Sequence, residues 1–331
     1  MTPPTARPKR YPPPEFPPRR PALFAKTPPA IFSPLLGLLA LTLALQGALA
    51  QLGLPAAPGQ LLAGLVVPLW AFAAFAYGAK VARRPGVVVE DLRVLPGRAG
   101  LAAMAMGGMI AAALIAPLAP EVALGLLVLA LAVHVTGAAL LIRLLISLPP
   151  AGREVNPTWH LSFVGFIVAA PAAVLLGWTD LAEALLWLTL PVAGLIWGLS
   201  VLQFIRSIPP APLRPLLAIH LAPASLFATV AAHLGREDMA IGFLALAVVY
   251  AVSLVLAARW LTSAGVSPLW GSFTFPLAAL VGAMLGQGAD WLIPATMLLL
   301  IALGAIPAIA WWVLKRWPGG KLAAVTNAAE A

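Results

Sequence analysis

The sequence predicts an all-α integral membrane protein, and two properties carry this prediction. Of the 331 residues, 62% are hydrophobic and only 9% are charged, whereas soluble domains contain about 25% charged residues. Apolar stretches long enough to cross a bilayer as a helix also recur along the chain, since a span needs about 20 residues. This composition argues against a water-soluble enzyme and indicates helices packed in lipid.

Polar residues, prolines and glycines divide the apolar sequence into ten predicted spans. They are residues 31–51, 58–81, 99–116, 122–146, 157–176, 181–205, 213–232, 239–260, 268–285 and 291–313. Only Pro117, Pro120 and Glu121 separate the third span from the fourth. We still divide them, because a single helix of about 40 residues would be too long for the bilayer.

The basic residues predict the orientation of these spans. When both termini are placed on one side, 19 of the 20 Lys and Arg residues fall on that side, and only Arg236 falls on the other. Because Lys and Arg are enriched in cytoplasmic loops, both termini are predicted to be cytoplasmic. The basic segment 83–98 is interpreted as an orientation signal. Shifting the division by one helix would scramble this sorting, which supports an even count of ten.

The alternation of short external turns with longer basic connections indicates a repeated helical hairpin. Five such hairpins suggest a ring, in which one helix of each hairpin lines a central pore. The odd-numbered spans also carry Pro or Gly within their apolar runs: Pro34, Gly37, Gly107, Gly108, Gly165, Pro171, Pro223 and Pro276. These residues either kink pore-lining helices or are the ordinary Pro and Gly of membrane helices, since Pro68, Pro191, Pro294 and Pro307 lie in even spans.

The chain therefore divides into a tail, a membrane domain and a second tail. Residues 1–26 contain nine Pro and six Lys or Arg without an apolar stretch, so we expect a disordered cytoplasmic tail rather than a signal peptide. Residues 27–317 form the predicted ten-helix channel domain. Residues 318–331 form a short cytoplasmic C-terminal tail.

Few residues in the predicted spans can perform chemistry. There is no Cys, and all eleven Asp and Glu residues lie in loops, tails or span ends. We therefore predict no metal site, no cofactor and no enzymatic activity. The four histidines, His134, His160, His220 and His233, are scattered along the sequence without an i, i+4 pair or a carboxylate partner, so they are interpreted as neutral, hydrogen-bonded helix residues. If one is functional, His220, just before Pro223, is the candidate. Basic patches beside spans, without interleaved aromatic residues, do not indicate nucleic-acid binding.

Four segments in order resemble a known family of membrane proteins. They are Pro29–Leu38, reading Pro-Ala-Ile-Phe-Ser-Pro-Leu-Leu-Gly-Leu; Asn156–Trp159, reading Asn-Pro-Thr-Trp; Leu213–Pro223, with Leu-Arg-Pro and Leu-Ala-Pro at its ends; and Leu269–Phe275, reading Leu-Trp-Gly-Ser-Phe-Thr-Phe. They resemble the tellurite-resistance/dicarboxylate transporter family, which includes bacterial TehA proteins, fungal malate permeases, sulfite exporters and plant slow anion channels. The resemblance covers residues 27–315.

The resemblance implies a homotrimer of separate pores in the bacterial inner membrane, each with five hairpins in quasi-fivefold symmetry. Odd helices would line the path, including Phe32, Ser33 and Thr274, and a Phe on the ninth helix would close it. The family pattern maps this gate to Phe275, with Phe273 as the alternative because one extra residue separates Trp270 from the first Phe. Pro276 stands where relatives often have Gly, and Ser33 also stands at such a position.

The family implies a passive anion channel or uniporter for chloride, nitrate, sulfite, tellurite or dicarboxylates. The residues agree with it, because an uncharged path with an aromatic constriction can gate ions without binding them tightly. The alternative is a proton-coupled transporter of dicarboxylate, tellurite or sulfite. In that case His220 or His134 would be the intramembrane proton carrier.

Overall fold

The computed structural model describes residues 22–331, which fold entirely into helices, turns and loops without a strand. The α-helices are α1 Phe32–Gln51, α2 Ala57–Arg83, α3 Val87–Arg93, α4 Leu95–Ile115, α5 Pro120–Ser147, α6 Ala170–Leu175, α7 Thr179–Arg206, α8 Leu221–His233, α9 Glu237–Leu256, α10 Ala258–Leu261, α11 Thr274–Leu285, α12 Leu292–Leu314 and α13 Lys321–Val325. The all-α prediction is confirmed. The predicted disordered tail, residues 1–26, lies outside the described residues except for its last five.

Nine helices within residues 22–331 are long and apolar enough to cross a membrane. The remaining apolar segment, His160–Leu175, is shorter and irregular, with a π-helix over His160–Val164, a 3-10 helix over Gly165–Ala169 and then α6. It corresponds to the predicted fifth span. An integral membrane protein is therefore confirmed, while the count of ten spans stays a prediction.

The spans fall into two groups that differ in burial. The inner segments are the odd-numbered ones: Pro29–Gln51, Leu95–Ile115, His160–Leu175, Ala211–His233 and Pro268–Leu285. In the four long inner segments, 67% to 89% of the most apolar stretch is buried, against 17% to 28% in the outer helices α2, α5, α7, α9 and α12. The outer helices therefore expose the apolar surface that lipid or a neighbouring subunit would cover.

Contacts between the inner segments run in a closed series. Helix α1 packs against α4 and α11, α11 packs against α8, and the fifth segment packs against both α4 and α8. Each outer helix packs against at least one inner segment. The fivefold symmetry of a ring stays a prediction.

Four inner segments share a change of helix type at a proline. The 3-10 helices Pro29–Ile31, Gly165–Ala169, Ala211–His220 and Pro268–Phe273 each lead directly into an α-helix. Pro34, Pro171, Pro223 and Pro276 are the second or third residues of those α-helices. Proline is tolerated there because the first turn of an α-helix has no partner for its N–H groups. These prolines therefore mark junctions. Among the outer helices, Pro294 has the same position after the 3-10 helix Ala289–Trp291, whereas Pro68, Pro191 and Pro307 lie inside continuous helices.

Glycine forms the turn in four of the five hairpins. Gly53, Gly177, Gly235 and Gly288 follow the first, fifth, seventh and ninth segments, and all have positive φ angles between 64° and 83°. Side chains with a Cβ rarely adopt this conformation, so glycine permits the tight reversal into the outer helix. The second hairpin, which joins the third and fourth segments, turns through Pro117 and Pro120 instead.

One face of the molecule carries both ends of the described chain, and we call it the basic face. It contains a buried ion pair. Lys80 and Asp91 are both fully buried, with Lys80 Nζ 2.9 Å from Asp91 Oδ2. Lys80 also donates to the Thr27 carbonyl at 3.1 Å, and the Tyr77 hydroxyl donates to Asp91 at 2.9 Å. Asp91 lies on α3, so segment 83–98, interpreted from sequence only as an orientation signal, contains a helix that completes this cluster.

Residues 318–331 also pack onto the basic face. The Ala329 N–H donates to Asp91 Oδ1 at 2.8 Å, and Leu322 on α13 is fully buried. Arg84 donates to the Glu330 carbonyl and forms a paired hydrogen bond with Glu90. These hydrogen bonds lower the pKa of the exposed Glu90 carboxyl. The segment predicted as a short tail is thus tied to α2 and α3.

Candidate functional site

Three cavities lie in sequence between the inner segments. The first, of about 30 Å³, is lined by the starts of all five, for example at Ser33, Ala99, Leu161, Ile219 and Phe275. The third, of about 460 Å³, is lined by their later parts, at positions such as Gln46, Ile110, Pro171, Thr229 and Gly282. Because every inner segment contributes its start to one cavity and its end to the other, all five run in the same direction from the basic face.

The second cavity lies between the other two and measures only about 10 Å³. Its walls include Met106, Gly165, Pro223 and Leu226. This volume is close to that of one water molecule. The series of cavities is therefore narrowest here, near the middle of the inner segments.

Phe275 is the side chain that connects the three cavities. Of the described residues, it alone lines all three, and its side chain is buried. It is the second residue of α11, directly after the junction with the 3-10 helix Pro268–Phe273. The sequence-based candidate for the gate therefore lies at the narrowest point.

The preceding residue anchors this junction to α1. Thr274 Oγ1 donates to the Gly271 carbonyl at 2.7 Å and approaches the Ser33 carbonyl at 3.3 Å. A Cβ at Gly37 would overlap the Thr274 side chain. Gly37 and Thr274 thus fix the contact between α1 and α11 instead of lining a cavity, and this contact sets where Phe275 lies.

Phe273, the alternative gate, has a different environment. It is half-buried, lies 6.0 Å from Trp270 in an edge-to-face arrangement, and lines none of the three cavities. This separation is measured between the ring centroids and is usual for an aromatic pair. The geometry therefore separates the two phenylalanines clearly.

Five other residues singled out from the sequence line a cavity. Ser33 and Pro276 line the first cavity, Gly165 and Pro223 the second, and Pro171 the third.

The remaining candidates face neighbouring helices. Phe32 contacts Tyr77, Pro34 lies against Gly271, and a Cβ at Gly107 or Gly108 would meet Trp70. Gly107 and Gly108 therefore allow α2 to approach α4 closely, as small residues do between membrane helices.

Two histidines that look isolated in the sequence form a pair in the structure. His160 Nε2 lies 2.9 Å from His220 Nδ1, although 60 residues separate them. Both rings are buried, and His160 lines the second cavity. The two histidines are therefore hydrogen-bonded to each other, a pairing that the sequence analysis does not include. No local spacing reveals it, because it depends on which inner segments are neighbours.

The cavity walls carry no formal charge. Among the described residues that line the three cavities there is no Lys, Arg, Asp or Glu. Residues 22–331 also bring together no group of three or more Asp, Glu or His side chains that would hold a metal ion. What the site offers is an apolar path with hydroxyl, amide and imidazole groups along it.

Comparison with known families decides what kind of protein has this architecture. Residues 26–315 match the family model SLAC1, described as voltage-dependent anion channel. The chain belongs to the SLAC1 family. Its general function is therefore that of an anion channel or transporter, and members of this family are not enzymes. The resemblance drawn from the four sequence segments is confirmed. No curated protein matches the chain closely enough to be named as a relative.

Proposed function

We propose that the chain is a passive anion channel or uniporter of the TehA and slow-anion-channel type. Five hairpins form a quasi-fivefold ring of ten spans, the inner segments line the path, and the Phe275 ring closes it. The position of Phe275 carries this proposal, because it borders the cavities on both sides of the narrowest point. Hydrophobic constrictions block ions by plugging or by excluding water, so one aromatic ring is sufficient as a gate.

The size and polarity of the path support the same function. A cavity of about 10 Å³ holds about one water molecule, so an anion with its hydration shell cannot pass until Phe275 moves. The uncharged walls favour flux, since conduction requires binding weak enough for the ion to leave. An Arg or Lys in the narrowest part would instead hold the anion.

The surroundings of the path complete the proposal. We place both termini in the cytoplasm of a bacterium, at the inner membrane, where the basic face concentrates anions at the inner end of the path. We also propose a homotrimer of independent pores, in which the apolar outer helices face lipid or a neighbouring subunit. Chloride, nitrate, sulfite, tellurite and dicarboxylates are the candidate substrates.

One observation favours a second candidate function, a proton-coupled transporter of dicarboxylate, tellurite or sulfite. The His160–His220 pair provides a titratable group beside the narrowest cavity. Histidine changes charge near physiological pH, which suits it to carry protons. In this alternative, substrate would move only together with protons.

Anion current through the purified protein in planar bilayers tests both candidates. Phe275→Ala should increase the current at least about tenfold, equivalent to lowering the barrier by about 1.4 kcal/mol. Phe273→Ala is the matched control, since it removes the same ring outside the cavities, and should change the current little. Reversal potentials in chloride, nitrate, sulfite and malate gradients would rank the substrates.

Two results would contradict the channel proposal. One is equal current in wild type and Phe275→Ala when both proteins are folded, because the gate would then lie elsewhere. The other is electrically silent protein that moves substrate only under a pH gradient, which would establish the coupled transporter.

A further inference from the structure

The narrowest cavity has one polar side chain. Ten residues line it, and nine of them carry apolar side chains or none, including Met106, Leu226 and Phe275. The exception is His160, at the start of the π-helix in the fifth segment. An ion passing Phe275 therefore meets one side chain able to form a hydrogen bond.

Neighbouring rings hold the His160 imidazole in a fixed orientation. Its Nε2 is paired with His220 Nδ1 at 2.9 Å, and the two rings are nearly perpendicular at 86°. Trp197 lies 5.6 Å from the His160 ring, and its indole N–H donates to the His220 carbonyl at 3.2 Å. Tyr250 stacks on His220 with ring centroids 6.3 Å apart. His220 and its aromatic neighbours thus position His160.

The remaining nitrogen of His160 has no partner in the protein. His160 Nδ1 is buried and makes no hydrogen bond with any described residue. When His220 Nδ1 donates to His160 Nε2, the neutral His160 ring carries its proton on Nδ1 and presents a free N–H. Leaving such a buried donor unpaired is costly, so an orphan polar group next to a cavity indicates a ligand.

We propose that His160 is the anion-binding side chain of the narrowest cavity, donating from Nδ1 to the passing ion, and that His220 positions it. The proposal rests on the anion path proposed above and adds the side chain that binds the ion at its narrowest cavity. A single donor among apolar walls replaces little of a hydration shell, and divalent sulfate or a dicarboxylate loses far more on dehydration.

A proton added to the pair strengthens the same interaction. Protonation turns the pair into an imidazolium, whose positive charge attracts the anion in an environment of low dielectric constant. Two other titratable groups lie beside this cluster, Tyr250, stacked on His220, and His134 next to Gly165. The helices packed around it carry further charged or titratable residues towards their ends: Glu121 and Arg143 on α5, Asp180, Glu183 and Arg206 on α7, His233 on α8, and Glu237 and Asp238 on α9. Arg98 and Arg214 donate to the carbonyls of Leu92, Pro209 and Trp260, and neither is bonded to the pair. Because conduction requires that the ion can leave, an anion held by the imidazolium leaves slowly, and the anion current is expected to fall as the pH falls.

Substitutions of His160 in the Phe275→Ala background test the proposal where current is easiest to measure. His160→Leu removes the donor and should lower nitrate current about tenfold, since a hydrogen bond to an ion is lost. It should also increase the preference for nitrate over sulfate, because the divalent ion loses more when the one donor is removed, and it should abolish the pH dependence. His160→Gln retains a neutral donor, so it should keep most of the current but lose the pH dependence. The control Thr136→Ala changes an exposed residue of α5 that lines none of the cavities and should preserve both.

The outcomes separate this proposal from the proposed function. If Phe275→Ala raises the current but His160→Leu, correctly folded, leaves selectivity and pH dependence unchanged, His160 is not the binding side chain. If Phe275→Ala has no effect, the gate proposal fails. ¹⁵N NMR of the histidine side chains during nitrate titration then decides the anion site alone. A nitrate-dependent shift of the His160 Nδ1 signal supports the site, and its absence overturns it.

Discussion

Removing the Asp91 carboxylate should destabilise the protein strongly, because three donors depend on it. Lys80 Nζ, the Tyr77 hydroxyl and the Ala329 N–H all lie within 2.9 Å of its oxygens. Asp91→Leu would leave the fully buried Lys80 ammonium with only the Thr27 carbonyl as a partner. Breaking a buried ion pair in this way costs about 3–5 kcal/mol.

A double substitution isolates the contribution of the charge. Lys80→Met removes the ammonium but keeps much of the apolar chain, so Lys80→Met with Asp91→Leu leaves no uncompensated charge. Replacing both members of a buried pair by apolar residues is often neutral or stabilising. The double variant should therefore be more stable than Asp91→Leu alone.

Unfolding in mixed detergent micelles, followed by tryptophan fluorescence, measures these free energies. Hydrogen exchange at the Ala329 amide, which donates to Asp91, reports the local effect and should become faster in Asp91→Leu. A loss below about 1 kcal/mol in Asp91→Leu would refute the reasoning, because a loss that small is typical of solvated, exposed pairs.

Three further predictions concern contacts described above. Gly37→Ala should cost about 1–3 kcal/mol of unfolding free energy through overpacking against α11. At Gly47 on the same helix, a Cβ would lie 3.6 Å from Leu285 Cδ1, an ordinary contact distance, so Gly47→Ala should be close to neutral in the same detergent assay. Leu322→Ala should cost about 2–5 kcal/mol and the exposed Val325→Ala much less, so equal losses would show that α13 is not packed. The hydrogen bond to Arg84 lowers the pKa of the Glu90 carboxyl in the folded protein. The Arg84–Glu90 pair therefore stabilises the protein above the unfolded pKa, and this stabilisation is lost as the pH falls through the folded pKa. Glu90→Gln should remove this pH dependence of the unfolding free energy.

The positions of the long helices could be predicted from the sequence to within four residues at each end, whereas the short helices α3, α10 and α13 were not predicted. The first span is predicted at residues 31–51 and the structure has α1 at Phe32–Gln51. The ninth span is predicted at residues 268–285, and the 3-10 helix Pro268–Phe273 and α11 together cover the same residues. Lipid imposes this regularity, because each span must satisfy its own backbone hydrogen bonds over a fixed thickness. The division between the third and fourth spans at Pro117 and Pro120 also agrees with the structure.

The features that could not be predicted depend on contacts between distant parts of the chain. In the sequence, Asp91 looks like the other acidic residues of loops, and nothing near it in the sequence indicates that Lys80 and Ala329 donate to its carboxylate. The pairing of His160 with His220 requires knowing which inner segments are neighbours. The fifth segment gave a partial signal, since Gly165 and Pro171 already marked it as irregular, but its π-helix has no sequence pattern of its own.

The anchoring of residues 321–331 has a consequence for how the protein is made. Lys80 and Asp91 leave the ribosome more than 200 residues before Ala329, the separation between Asp91 and Ala329 being 238 residues. During synthesis the carboxylate therefore lacks one of its three donors while the later membrane segments are still being made. The basic face is completed only after translation has passed α12, so its closure is a late step of biogenesis.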